Sequence, residues 1–125
     1  MNDAATGMTL RLELFVDDLA ASVDFYTRVL GFTKEHEEAV GYADLVNGAA
    51  LISLHGRKKP RDPALGRAGQ GVEITLDVDD VFTFYARVEA TGWPLLNALT
   101  AQSWGQTDFR VADPDGYRLR VTSRA

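Results

Sequence analysis

The chain has 125 residues and no cysteine. That excludes disulfides, thiolate metal ligands and a cysteine nucleophile, and it fits a reducing cytoplasm. Histidine is scarce, with only His36 and His55 offering imidazole nitrogens. No apolar run reaches the length of a membrane span. The first residues, Met1 to Gly7, lack the charged and apolar regions of a signal peptide. Excess positive charge is also missing, since the net charge is −5. An acidic chain argues against a nucleic-acid partner and favours cationic ligands over polyanions. A cytoplasmic protein with neither a nucleic-acid nor a membrane partner is expected.

What is present is one pattern written twice. The first copy is Leu10-Arg-Leu-Glu-Leu-Phe-Val16-Asp-Asp-Leu19, and the second is Val72-Glu-Ile-Thr-Leu-Asp-Val78-Asp-Asp-Val81. In the first, Leu10, Leu12, Leu14 and Val16 share one face of a strand, and Arg11, Glu13 and Phe15 share the other. In the second, Val72, Ile74, Leu76 and Val78 oppose Glu73, Thr75 and Asp77. Each strand runs into a double aspartate, and one aspartate of each pair is placed to cap a helix by accepting from its free N–H groups. Leu19, Val23, Tyr26 and Leu30 then recur at helical spacing up to Gly31. The second helix carries Val81, Phe84, Tyr85 and Val88 and stops at Gly92.

Three strands are predicted after the first helix, at Thr33–Glu38, Tyr42–Val46 and Ala49–Leu54, with Asn47-Gly48 as a hairpin signal. Three follow the second, near Trp93–Leu96, Thr107–Ala112 and Tyr117–Thr122. Asp113-Pro-Asp-Gly116 joins the last two in a tight turn. Residues 1–8 read as a loose leader. Residues 56–71 hold glycines, prolines and the cluster Arg57, Lys58, Lys59, Arg61 and Arg67, and read as a solvated loop between modules. The expected organisation is a single α+β domain over residues 1–125. It comprises a first βαβββ module (9–55), the inter-module loop (56–71) and a second βαβββ module (72–123). The two tandem modules are expected to form a cupped mixed sheet with a cleft.

These residues resemble the vicinal oxygen chelate superfamily, which includes glyoxalase I, extradiol dioxygenases, fosfomycin-modifying enzymes and bleomycin-resistance proteins. The resemblance runs from Leu10 to Thr122. It rests on Val16-Asp-Asp-Leu19, Ser22-Val-Asp-Phe-Tyr26, Leu30-Gly-Phe32, Val78-Asp-Asp-Val81 and Asp113-Pro-Asp-Gly-Tyr117. The stretch from Trp104 through Phe109 to Gly116 is similar to bleomycin-resistance proteins, although Ser103 stands where those often have proline.

Metal-dependent members of the superfamily bind a divalent ion through His and Glu from the first and last strands of each module. The resemblance places those positions at Arg11, Ser53, Glu73 and Arg120. Arginine has no lone pair to donate, and one carboxylate with one hydroxyl holds a divalent ion poorly. No metal or other cofactor is therefore expected. Arg11, Glu73 and Arg120 are expected to meet, with Glu73 bridging the two guanidiniums. A divalent metal at a shifted site, using Glu13, His55 and Glu73, is the alternative.

The leading expectation is a metal-independent binding protein. It would resemble bleomycin-resistance proteins that sequester an antibiotic or related ligand in a dimer cleft. Its ligand-binding residues would be Arg11, Phe15, Ser53, Glu73, Trp104, Phe109 and Arg120. The ligand would be aromatic or cationic and the protein a homodimer. The rival expectation is a metal-dependent lyase, isomerase or dioxygenase of the same superfamily.

Overall fold

The computed structural model describes residues 6–124, so most of the leader expected over residues 1–8 lies outside the described residues. The first module runs β1 (Arg11–Val16), α1 (Leu19–Asp24), β2 (Thr33–Glu38), β3 (Tyr42–Asn47) and β4 (Ala50–Gly56). The second runs β5 (Glu73–Val78), α2 (Val81–Ala90), β6 (Asn97–Ala101), β7 (Thr107–Ala112) and β8 (Arg118–Ser123). Each module forms its own four-stranded mixed sheet, ordered β1-β4-β3-β2 and β5-β8-β7-β6. In each, the first strand pairs parallel with the last.

The second aspartate of each pair is the cap. Asp18 accepts from Ala21 N–H at 3.1 Å, and Asp80 accepts from Phe82 N–H at 3.0 Å. The first helix does not continue as an α-helix to Leu30. It loosens into a π-helical segment, Phe25–Val29, closed by Leu30 N–H on the Phe25 carbonyl at 3.2 Å. The wider turn still buries Phe25, Tyr26, Val29 and Leu30. Gly31 follows at φ 79°. The Arg87 guanidinium from α2 occupies the space where a side chain at Gly31 would begin.

The β3–β4 hairpin turns on Gly48 and Ala49, one residue later than Asn47-Gly48 suggests. Gly48 takes the first central position at φ 58°, as a type II′ turn requires. The strand predicted near Trp93–Leu96 forms instead at Asn97–Ala101. Pro94 has no N–H to give a ladder, and Trp93 is committed inward. Its ring lies 4.8 Å from Phe25, and its Nε1 donates to the Ala112 carbonyl at 2.9 Å.

One hydrophobic core serves both modules. Leu14, Val16, Phe25, Tyr26 and Leu54 join Ile74, Val88, Phe109, Val111 and Val121 in a single cluster. The odd-numbered residues of β1 and β5 stand on the face turned away from this cluster. The loop between modules is only partly solvated. Ala68 is buried, Arg57 donates to the Phe15 carbonyl at 2.8 Å, and Pro63–Leu65 form a 3-10 turn.

Candidate ligand-binding faces

Register aligns the functional side chains in rungs across the core-averted face of the first sheet. Glu13 pairs with Ser53, Ser53 with Asp44, and Asp44 with His36. The next rung is Phe15, His55, Tyr42 and Glu38. Side chains on neighbouring rungs of one face lie within reach of one another. His55 stacks on Phe15 with centroids 5.0 Å apart and lies 4.9 Å from the Tyr42 ring. Its Nε2 meets Glu13 Oε1 at 2.7 Å. Ser53 and Tyr42 both donate to Asp44 Oδ1. These bonds, the Ser53 one first, hold the Asp44 carboxyl below its ordinary range, while the same bond to Asp44 raises the Tyr42 phenol. Arg11 is an exposed guanidinium 4.0 Å from Glu13. Glu13, Glu38 and Asp44 outnumber it, so this face is acidic and aromatic. Phe15 is 53% exposed on it.

The second sheet carries a different arrangement. Arg120 donates through Nε to Asp108 Oδ2 at 2.7 Å and through Nη2 to Gln106 Oε1 at 2.8 Å. Gln102 donates to the other Asp108 oxygen at 2.9 Å. Asp108 is 1% exposed. Burial works to raise its carboxyl, but the bonds from Gln102 and Arg120 and the charge of Arg110 outweigh burial and leave it lowered. Arg110 is held by Glu73 at 2.8 Å, which raises the guanidinium. Trp104 stands at the tip of the β6–β7 hairpin, 62% exposed, with Nε1 3.4 Å from Gln106.

The expected meeting of Arg11, Glu73 and Arg120 is not what forms. Glu73 pairs with Arg110, Arg120 with Asp108, and Arg11 approaches Glu13. Phe109 is fully buried, 5.1 Å from the Tyr85 ring of α2. It therefore lies on the helix-covered face, whereas Glu73, Arg110 and Arg120 lie on the other. Ser53 is buried beneath its bond to Asp44. Asp108, Arg110, Tyr42 and Asp44 were not singled out from sequence; alternation extended along β3 and β7 is the signal that could have found them. A groove of about 620 Å³ lies between the modules and is lined by Leu30, Phe32, Asp80, Phe84 and Arg87 among others. None of the ligand-binding residues expected from sequence borders it. Two of its charged groups already serve the fold: Asp80 caps α2, and Arg87 reaches the Thr27 carbonyl at 3.5 Å. A smaller groove of about 290 Å³ includes Glu73.

The model for the Glyoxalase/Bleomycin resistance protein/Dioxygenase superfamily matches residues 9–121. The chain belongs to this superfamily. A probable lactoylglutathione lyase of Vibrio parahaemolyticus is 31% identical over 129 residues, spanning 94% of this chain and 91% of that one. A bleomycin resistance protein of Klebsiella pneumoniae is 28% identical over 111 residues, spanning 83% of this chain and 82% of that one. Among solved structures, a bleomycin-binding protein complexed with bleomycin superposes with a TM-score of 0.74 at 25% identity, covering 96% of this chain and all of the other.

Lyases of this superfamily imply a divalent metal, and the residues here do not fit one. Arg11 and Arg120 offer no lone pair. Glu73 is occupied by Arg110, and the Ser53 hydroxyl by Asp44. Of the shifted set, Glu13 and His55 touch each other, and Glu73 is taken up by Arg110. Among the described residues, no group of three His, Asp or Glu side chains is arranged to hold a metal ion. No helix among them is long and apolar enough to cross a membrane.

Proposed function

We propose that this protein is a metal-independent small-molecule binding protein. It would sequester an aromatic, cationic ligand, such as an antibiotic or related compound, in a cleft of a cytoplasmic homodimer. The observation that carries the reading is the core-averted face of the first sheet. There the exposed Phe15 ring stacks on His55, whose other neighbour is the tilted Tyr42 ring, with Glu13 and Asp44 one rung away. A flat ring gains stacking area on Phe15, and a positive group gains from both the ring faces and the carboxylates. The likeness to a bleomycin resistance protein and to a bleomycin-binding protein supports the same reading. Leu10 and Val72, 74% and 60% exposed, border the smaller groove and supply apolar surface for a second copy.

The rival reading, a metal-dependent lyase, draws on the Vibrio relative. It lacks the donor set just described.

The test is calorimetric titration with metal-free bleomycin, and with a panel of aromatic amines, in the presence of EDTA. Saturable binding without turnover is expected for at least one of these probes. Phe15→Ala should weaken it at least tenfold, equivalent to about 1.4 kcal/mol, with little change in Tm because the ring is half-exposed. Lactoylglutathione lyase activity that EDTA abolishes would overturn the reading, as would binding indifferent to Phe15.

A further inference from the structure

The seam between the modules has two ends, and the internal repeat makes them equivalent. Residues 11–16 lie beside 51–56 in the same register as 73–78 lie beside 118–123. Asp17 thus corresponds to Asp79, and Arg57 to Arg124. The Val16 carbonyl accepts from the Arg57 N–H at 2.8 Å, and the Val78 carbonyl from the Arg124 N–H at 3.3 Å. The Arg57 guanidinium lies 3.7 Å from the Asp17 carboxylate, and that of Arg124 lies 3.4 Å from Asp79. Asp18 and Asp80 cap the helices that follow. One frame, a backbone N–H beside a guanidinium where the strand enters its helix, is therefore built twice.

At the first end the chain fills this frame itself. The β7–β8 turn brings Asp115 across the seam. One of its carboxylate oxygens accepts from the Asp17 N–H at 2.9 Å, and the other from the Ser22 hydroxyl at 3.5 Å. At the second end the matching turn is shorter. Only Gly48 and Ala49 separate the last paired residues of β3 and β4, Asn47 and Ala50, and neither carries a carboxylate. Among the described residues, nothing accepts from the Asp79 N–H. The groove of about 620 Å³ opens here, with Asp79 in its wall. Phe84 stands four residues after its cap, as Ser22 does after Asp18, so an apolar ring replaces the hydroxyl. Leu30, Phe32 and Leu76 continue the apolar wall, and Arg87 and Arg124 are its cations.

We propose that this groove is a second ligand site, one that takes a small carboxylic acid with an apolar body, such as an aryl or medium-chain alkyl carboxylate. The ligand carboxylate takes at Asp79 the place that Asp115 takes at Asp17. It accepts from the Asp79 N–H, the exposed Arg124 guanidinium turns to it, and Arg87 adds positive charge along the groove. The apolar body lies against Phe84, Leu30 and Phe32, in a volume usual for small-molecule sites.

The carboxylates of the wall do not bar an anion. Asp79 is paired with Arg124, Asp80 accepts from the first-turn N–H groups of α2, and Asp77 stands on the core-averted side of β5. The first end carries the same two aspartates, Asp17 and Asp18, and still receives Asp115. Neither Phe15 nor Tyr42 borders the groove, so this site is separate from the aromatic face of the first sheet.

The experiment is amide NMR of the labelled protein at neutral pH, titrated with naphthoate, with octanoate and with naphthalenemethanol as the uncharged control. At least one of the two acids should shift the Asp79 amide saturably, while the Asp17 amide, held by Asp115, stays in place. The alcohol should bind more weakly than naphthoate. Arg124→Gln should weaken the acid by about threefold, and adding Arg87→Gln should weaken it further; both side chains are exposed, so the fold should be unaffected. The proposal would be overturned by the absence of a saturable Asp79 shift with either acid, or by equal binding of the alcohol. Acid binding unchanged in the double variant would overturn it too, as would shifts confined to Phe15, Tyr42 and His55.

Discussion

Replacing Asp108 with alanine should lower stability by about 3 kcal/mol, seen as a fall in Tm of roughly 10 °C. The carboxylate is 1% exposed and is the acceptor for both the Arg120 Nε and the Gln102 amide. Its removal leaves the Arg120 guanidinium, only 14% exposed, with Gln106 as its remaining side-chain partner. A stranded, nearly buried charge costs more than the lost pair contributes. Adding Arg120→Met to Asp108→Ala should therefore recover much of the loss. Asp108→Asn, which keeps an acceptor and loses the charge, should fall between. A Tm change under about 2 °C for Asp108→Ala would show that the network is not maintained in solution.

The second large effect lies in the core beneath the seam. Phe25→Ala should cost about 3–5 kcal/mol. Phe25 is fully buried, edge-on to Tyr26 at 4.9 Å and 4.8 Å from Trp93 of the second module. The deletion opens a cavity at a point shared by both modules. Because one core spans them, unfolding should remain a single transition moved to lower urea, without a separate early step for either module. A native-like midpoint, or two resolved transitions, would contradict the shared core. Against a typical domain stability of about 5–15 kcal/mol, this variant is also expected to be marginal at 37 °C.

Much of this architecture can be read from the chain before any coordinates. Period-two alternation places Glu13 and Phe15 on one face of β1 and Leu14 and Val16 on the other, and Asp18 and Asp80 cap as their positions suggest. The strand expected near Trp93–Leu96 does not form there, because the Trp93 ring reaches Phe25 in the other module and Pro94 has no N–H for a ladder. The π-helical turn is invisible for a related reason. Leu19, Val23, Tyr26 and Leu30 keep nearly helical spacing whichever way the last turn is wound.

The site is half legible. Which side chains stand on the core-averted faces follows from alternation. Which charges pair does not, because strand order and register decide it. Glu73 is claimed by Arg110, two strands away, through β5-β8-β7 order. Asp108, the anion that holds Arg120, lies on the antiparallel partner strand of β8. Matching Arg11 and Arg120 to the metal-ligand positions of the superfamily needs only sequence, and the structure adds that both remaining positions, Ser53 and Glu73, are already bonded.

The central claim is that this member of the superfamily works without a metal. The most direct measurement is calorimetric titration of chelator-stripped protein with Ni²⁺, Zn²⁺, Mn²⁺ and Fe²⁺. The account expects no saturable heat at one ion per chain, with ligand binding unaffected by EDTA. Tight binding of one ion per chain, lost in Glu73→Gln, would contradict it and make the lyase reading the one to pursue.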